Sequence, residues 1–312
     1  MVGLGGRPGP YGAAMTGPVR DQASLGRASA ALAVVCWSAG NIMVARLEMP
    51  GVQIAFWRQL IGFGVYVLVF LLIGRRLTWR TVRLVVPAGV LLGLEIGVFF
   101  TALRTTTIAN ATIIGALQPI LLLAVASRRY RETVTGWLFG ASAVAIGGVV
   151  LVMWGASSEA VWSPRGDLLA LLAMVLFSAY FVVVKDIRAS VDTFTLQTVA
   201  MMIGALTVLP IAAIEAGTPV LPVPSGRQFA WLLVLLAVPG TGHYLMNWAH
   251  LHVSLSVAGL LTLAIPVLSA LGAWLILDQH LTPVQALGGV VVLGVLAGVV
   301  RRDARLASRG GT

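Results

Sequence analysis

Ala111-Thr-Ile-Ile-Gly-Ala-Leu-Gln-Pro-Ile-Leu121 decides the fold, because the chain carries this stretch twice. The second copy reads Ala258-Gly-Leu-Leu-Thr-Leu-Ala-Ile-Pro-Val-Leu268, and Pro119 and Pro266 stand 147 positions apart. At the same offset Ala102 matches Ala249, Thr135 matches Thr282, Val144 matches Val291 and Gly147 matches Gly294. Nearer the start of each half the offset is 140, and Leu32, Ala33, Val35, Ser38, Ala39 and Val44 match Leu172, Ala173, Val175, Ser178, Ala179 and Val184. The Pro-rich segment from Gly217 to Gly226 absorbs the seven-residue difference as an exposed loop. Each copy is an apolar helical run with a proline near its middle. A duplicated apolar unit broken by proline at membrane depth points to a transporter built from two repeats.

Composition sets the solvent. Of 312 residues, 58% are hydrophobic and 10% charged, against about 25% charged in an ordinary soluble domain. So few charges cannot solvate a globule of this size, and lipid must cover most of the surface. The formal charge of +10 does not point to nucleic acid, because Lys and Arg stand in short clusters between apolar runs. Cys36 is the one cysteine. It excludes an intramolecular disulfide and reads as a small buried hydrophobe.

Ten apolar runs are long enough to approach the roughly 20 residues a bilayer crossing needs. They are Ala28–Val44, Val52–Ile73, Leu84–Leu103, Ile108–Ala126, Val134–Trp154, Leu168–Val184, Phe194–Ile214, Phe229–Ala249, Leu255–Leu277 and Val284–Val300. With the N-terminus in the cytoplasm, sixteen of the 21 Lys and Arg residues fall on the cytoplasmic side. Only Arg46, Arg104, Arg165 and Arg227 fall outside, and Arg58 lies within a helix. This positive-inside bias places both termini in the cytoplasm. The expected fold is an all-α integral membrane protein of ten helices in two inverted five-helix repeats. Residues 1–27 are read as a disordered tail, 28–156 and 157–301 as the repeats, and 302–312 as a basic tail. Five helices per repeat is an odd number, so the second repeat runs through the membrane upside down, as alternating access around a midplane site requires.

Four stretches resemble the drug/metabolite transporter superfamily, in its ten-helix branch with two EamA-type repeats. Gly166-Asp-Leu-Leu-Ala-Leu-Leu-Ala-Met-Val-Leu-Phe-Ser-Ala-Tyr180 is similar to the opening helix of a repeat. The two proline helices resemble its fourth. Leu277-Asp-Gln-His-Leu-Thr-Pro-Val-Gln-Ala-Leu-Gly288 resembles the junction to its fifth, where the family usually has a glutamate. The first repeat keeps that glutamate as Glu132, and the second has Gln279. The resemblance implies the fold and transport, and is weak for substrate: members export amino acids, other metabolites and some toxic compounds.

Polar groups inside lipid cost a few kcal/mol each, so those present face a cavity or a partner. Arg58 lies roughly 10 Å and Glu95 roughly 12 Å from the outer ends of neighbouring helices, at 1.5 Å per residue. The matched depth allows an ion pair, either fixed or one that frees Glu95 to take a proton or a substrate ammonium. His243, Asn247 and His250 share one face of the eighth helix. They form either a hydrogen-bonded stripe between helices or a polar wall of the translocation path. Asn110 and Gln118 roughly share a face of the fourth helix and bind either solute or neighbouring helices. Pro119 and Pro266 each free a backbone carbonyl near the midplane, which can line a cavity or only kink the helix. Trp37, Trp57 and Trp248 are read as packing or interfacial groups. Gly140, Gly147, Gly148, Gly288, Gly289 and Gly294 are read as allowing close packing of the fifth and tenth helices.

The function this predicts is secondary transport, as an exporter of amino acids or related amphipathic metabolites in the bacterial inner membrane. Its partners are a small solute and the bilayer, with proton coupling open and no nucleic acid. Efflux of toxic cations by the same fold is the alternative, and a membrane-embedded enzyme a more distant one. No P-loop is present to drive transport by ATP. No nucleophile–base set, cofactor motif or metal-ligand cluster is evident in the sequence.

Overall fold

In a computed structural model of the chain, residues 19–45, 47–156, 163–277 and 280–309 are described. Thirteen α-helices account for nearly all of them: α1 Val19–Ala45, α2 Gly51–Leu72, α3 Trp79–Thr105, α4 Ile108–Gly115, α5 Gln118–Arg129, α6 Gly136–Ala156, α7 Pro164–Ile187, α8 Thr193–Ala216, α9 Gly226–Leu235, α10 Thr241–Ala249, α11 Leu255–Leu261, α12 Ala264–Leu277 and α13 Pro283–Arg309. Among the described residues nine helical segments are long and apolar enough to cross a membrane. The pairs α4–α5, α9–α10 and α11–α12 each count as one such segment. Large apolar side chains such as Leu72, Ile214 and Leu275 stand exposed on the outside of the bundle, as a lipid-facing surface requires.

The breaks within helices have local causes. Pro119 lacks the N–H that would continue α4 into α5, and the chain tightens instead through Leu117 N–H to Ile114 O at 3.1 Å. In the second copy Pro266 leaves Thr262 O without its usual donor, and Ile265 N–H takes it at 3.0 Å. The runs expected as single helices over Ile108–Ala126 and Leu255–Leu277 are therefore broken near their middles. Between α9 and α10 the chain widens into a π-helical segment, Leu236–Gly240, around Pro239. Side chains close the helix starts: Ser225 and Gln228 form a reciprocal capping box on α9, and Asp192 caps α8.

Two boundaries differ from the sequence reading. Helix α1 begins at Val19, inside the segment expected to be a tail, because Arg27 pairs with Asp303 of α13 at 3.1 Å and Gly26 packs close to His252. Helix α13 likewise runs on to Arg309, through most of the expected C-terminal tail. Gln279 and Arg46 lie outside the described residues.

The packing echoes the duplication. Helix α3 against α7 is mirrored by α1 against α10, α4 against α7 by α1 against α11, α5 against α7 by α1 against α12, and α6 meets α13. Close approach needs glycine at two places. A Cβ on Gly93 of α3 would lie 2.6 Å from Gly204 O of α8, and one on Gly288 of α13 2.5 Å from Gly148 O of α6. By contrast, a Cβ on Gly140, Gly147 or Gly294 would meet nothing within 4 Å. Those three glycines are not in the α6–α13 seam, because they point away from it.

Candidate translocation cavity

A cavity of about 140 Å³ lies where α1, α2, α3, α4, α7, the π-helical segment and α12 converge. At roughly 10–15 Å³ of such space per water it holds on the order of ten waters, the space of a small solute. Its walls are mainly apolar and aromatic, with Trp37, Phe99, Phe100, Met174 and Phe177 among them. The wall segments Glu95–Phe100, Ala111–Gly115 and Ala170–Phe177 occupy the halves of α3, of the α4–α5 crossing and of α7 remote from the basic clusters. The cavity is thus displaced toward the end of the bundle that carries few arginines.

A guanidinium and a carboxyl group face this space. Arg58 of α2 is 2% exposed and Glu95 of α3 is 7% exposed, and both line the cavity. They do not form the direct ion pair expected from their matched depths. Among the described residues, ion pairs within 4 Å are Arg27–Asp303, Arg75–Asp192 and Arg129–Asp186. The reason is a competing acceptor. Pro239 has no N–H for the carbonyl four residues back, and Arg58 Nε donates to that carbonyl, Leu235 O, at 3.3 Å. The guanidinium is tethered to the π-helical segment, and its terminal nitrogens are left to the cavity.

Further polar atoms at the cavity lack partners. Gln118 Oε1 accepts from Thr262 Oγ1 at 3.3 Å, while Gln118 Nε2 has no protein partner. Trp37 Nε1 and His243 Nδ1 are buried and unpartnered too, with their rings 5.0 Å apart. Buried polar groups are normally hydrogen-bonded, so three such atoms around one cavity mark a place where a solute or water supplies the missing bonds.

The remaining residues singled out from sequence lie elsewhere. Asn110 sits at the bundle end where α4 begins, near Thr106 and Asp167 (Nδ2 to Asp167 Oδ1 3.4 Å). Asn247 is fully buried on the opposite side of the cavity. It accepts from Tyr180 Oη at 2.9 Å and donates to Gln197 Oε1 at 2.9 Å. Its carbonyl takes Arg188 Nε at 2.9 Å, and Arg188 Nη1 also donates to Val191 O. His250 packs edge-on against Phe181 at 4.6 Å. Asn247 and His250 therefore belong to a sealed layer between the cavity and the basic end. Pro266 lines the cavity, whereas Pro119 is buried beside it.

Sequence reading missed Pro239 and Thr262 and assigned Trp37 to packing. Pro239 was visible as a proline in an apolar run, but 147 positions back stands Leu92, so a search for repeated prolines passes over it.

Comparison with known proteins follows the same outline. The model of the EamA-like transporter family matches twice, over residues 24–154 and 164–301. An uncharacterized transporter of Synechocystis sp. is 25% identical over 293 residues, covering 84% of this chain and 83% of the relative. The pseudopaline exporter of Pseudomonas aeruginosa is 22% identical over 279 residues, covering 88% and 95% respectively. A solved protein structure superposes with a TM-score of 0.73 at 21% identity, over 92% of this chain and 99% of its own. With both halves matched, this chain belongs to the EamA-like transporter family and is a multi-pass membrane transporter.

Proposed function

We infer that this transporter exports small amphipathic zwitterions of the amino-acid kind across a bacterial inner membrane. One observation carries the reading: Arg58 and Glu95 line the same aromatic-walled cavity with no direct ion pair between them. A carboxylate on the solute meets the guanidinium, an ammonium meets the carboxylate, and an apolar body lies against Phe99, Phe100 and Phe177. A simple cation would have to sit beside Arg58, which disfavours toxic-cation efflux. The relative named as an exporter supports the outward direction.

The architecture proposed for this activity is ten crossings in two inverted repeats, with α1 as the tenth and both termini cytoplasmic. The clustering of arginines at one end of the bundle supports that orientation. The working cycle is alternating access around the cavity. The test is flux from proteoliposomes loaded with a panel of amino acids, amines and organic acids. Saturable release of zwitterions ahead of matched amines and acids is expected. Release of none of them by folded, oriented protein would overturn the reading.

A further inference from the structure

At the end of the bundle that carries the basic clusters, a carboxylate reaches from one repeat to the other. Glu132 follows α5 in the first repeat. Its Oε1 accepts from Leu255 N–H at 2.8 Å, and its Oε2 accepts from Ser256 N–H at 3.1 Å and Ser256 Oγ at 2.6 Å. Leu255 and Ser256 are buried and form the first turn of α11 in the second repeat. Three bonds to one ionised group, at the positive end of a helix, make a strong contact.

The backbone is bent to deliver this side chain. Arg131, immediately before Glu132, has φ 54°, the one left-handed non-glycine residue among those described. Such a conformation is costly for a bulky residue and collects at functional sites. Neighbouring bonds knit the same three segments. The one Tyr130 Oη–H faces two acceptors, Asp186 Oδ1 at 2.8 Å and Val182 O at 3.0 Å. Lys185 Nζ donates to Val253 O at 2.8 Å and to His250 O at 3.3 Å. The ends of α5 and α7 and the loop before α11 thus close together beneath the sealed layer of Tyr180 and Asn247.

We propose that Glu132 is the latch of this gate: its three bonds to the first turn of α11 hold the basic end closed while the cavity faces the other end, and their release opens it. The repeat offset gives Glu132 a neutral counterpart, Gln279. The proposal rests on the alternating-access reading above, but does not depend on which compartment that end faces.

The test uses purified full-length protein in detergent, so that both ends are reachable, with Cys36→Ala as background. A reporter at Ala258→Cys sits under the latch, where Ala258 is fully buried. A second at Gly115→Cys sits at the cavity, where a Cβ meets nothing within 4 Å. Each is labelled with a charged maleimide, with and without Glu132→Gln. Losing a charge-assisted contact shifts a two-state equilibrium about tenfold. Labelling at Ala258→Cys should rise by about that factor while labelling at Gly115→Cys falls. Ser256→Ala removes one bond of the three and should move both reporters the same way by less, which keeps the test open if Glu132→Gln folds poorly. Unchanged labelling overturns the proposal. So does a rise at both reporters, which signals general loosening. Failure of transport with intact reciprocal labelling would instead count against the transport reading alone.

Discussion

Arg58 has two separable tasks, and a matched pair of solutes can tell them apart. Its Nε is bound to Leu235 O, while its terminal nitrogens are available to a solute carboxylate. The perturbation is Arg58→Gln, and the solutes are phenylalanine and phenethylamine, which differ by that carboxylate and suit the aromatic walls. A hydrogen bond to a charged group contributes about 1.5–3 kcal/mol. Arg58 is 2% exposed, so water screens little of it. Affinity for phenylalanine should therefore fall roughly 10- to 150-fold, at 1.4 kcal/mol per factor of ten. Phenethylamine should bind equally well or better, because removing the guanidinium removes repulsion on its ammonium. Loss of the tether to Leu235 O should lower the melting temperature of the empty protein by the same amount whichever solute is later added. The assay is binding to detergent-solubilised protein by thermal shift and calorimetry, with counterflow in liposomes as the functional check. An equal fall in affinity for both solutes would refute the reasoning, since it would mean that Arg58 only shapes the cavity.

Three further outcomes follow from the same structure. Glu95→Gln should flatten the pH dependence of flux, measured between about pH 5 and 8 in liposomes; an unchanged profile would retire Glu95 as a proton carrier. Gly93→Ala should destabilise the protein by about 1–3 kcal/mol, because its Cβ would meet Gly204 O and Cα, backbone atoms that cannot rotate away; Gly147→Ala, which faces open space, should be neutral or slightly stabilising, and a reversed order of melting temperatures would contradict the packing. Asp192→Ala should cost about 1 kcal/mol through its lost cap on α8. Burial pushes the Asp192 carboxyl up, but bonds from Thr195 and Arg75 outweigh this and hold it below its ordinary value. Its contribution is then present above the unfolded carboxyl's pKa of about 4 and lost as pH falls through the lower folded value. The gap in melting temperature between wild type and Asp192→Ala should accordingly close on acidification.

The parts legible in the sequence were those with a long-range signature. Helix positions followed from apolar length, and the division into two repeats from the duplication around Pro119 and Pro266. Arg58 and Glu95 announced themselves as charges in apolar runs, and both line the cavity. What sequence could not supply was rotation about each helix axis. His243 and Asn247 are one turn apart, yet His243 lines the cavity and Asn247 lies in the layer that seals it. Competition between partners was equally hidden. Matched depth made Glu95 the natural mate for Arg58, but the carbonyl at Leu235 was available only because Pro239 opened the helix midway along the eighth crossing. Glu132 was visible only as a junction residue, since its partner at Leu255 lies 123 positions away.

The duplication explains the scaffold and not the chemistry, and the difference has a physical origin. Glu95 has Gly242 as its counterpart at the 147 offset, and a Cβ there would lie 2.9 Å from Trp37 Nε1 and from Ala33 O. No side chain fits, so the carboxylate has no twin. Arg58 corresponds at the 140 offset to Thr198, which is buried and bonded to its own helix at Phe194 O. Both cavity charges therefore come from the first repeat, on helices α2 and α3 that pack directly together. The second repeat contributes the aromatic wall of α7, His243 and the proline-opened carbonyl that orients Arg58. When two such repeats rock against each other as bodies, the charges keep their spacing while the wall and the tether move past them. A solute held by its charges would then feel the exchange of faces mainly through its apolar body, so selectivity in the cycle rests on the fit to Phe177 of α7 as much as on the ionic contacts.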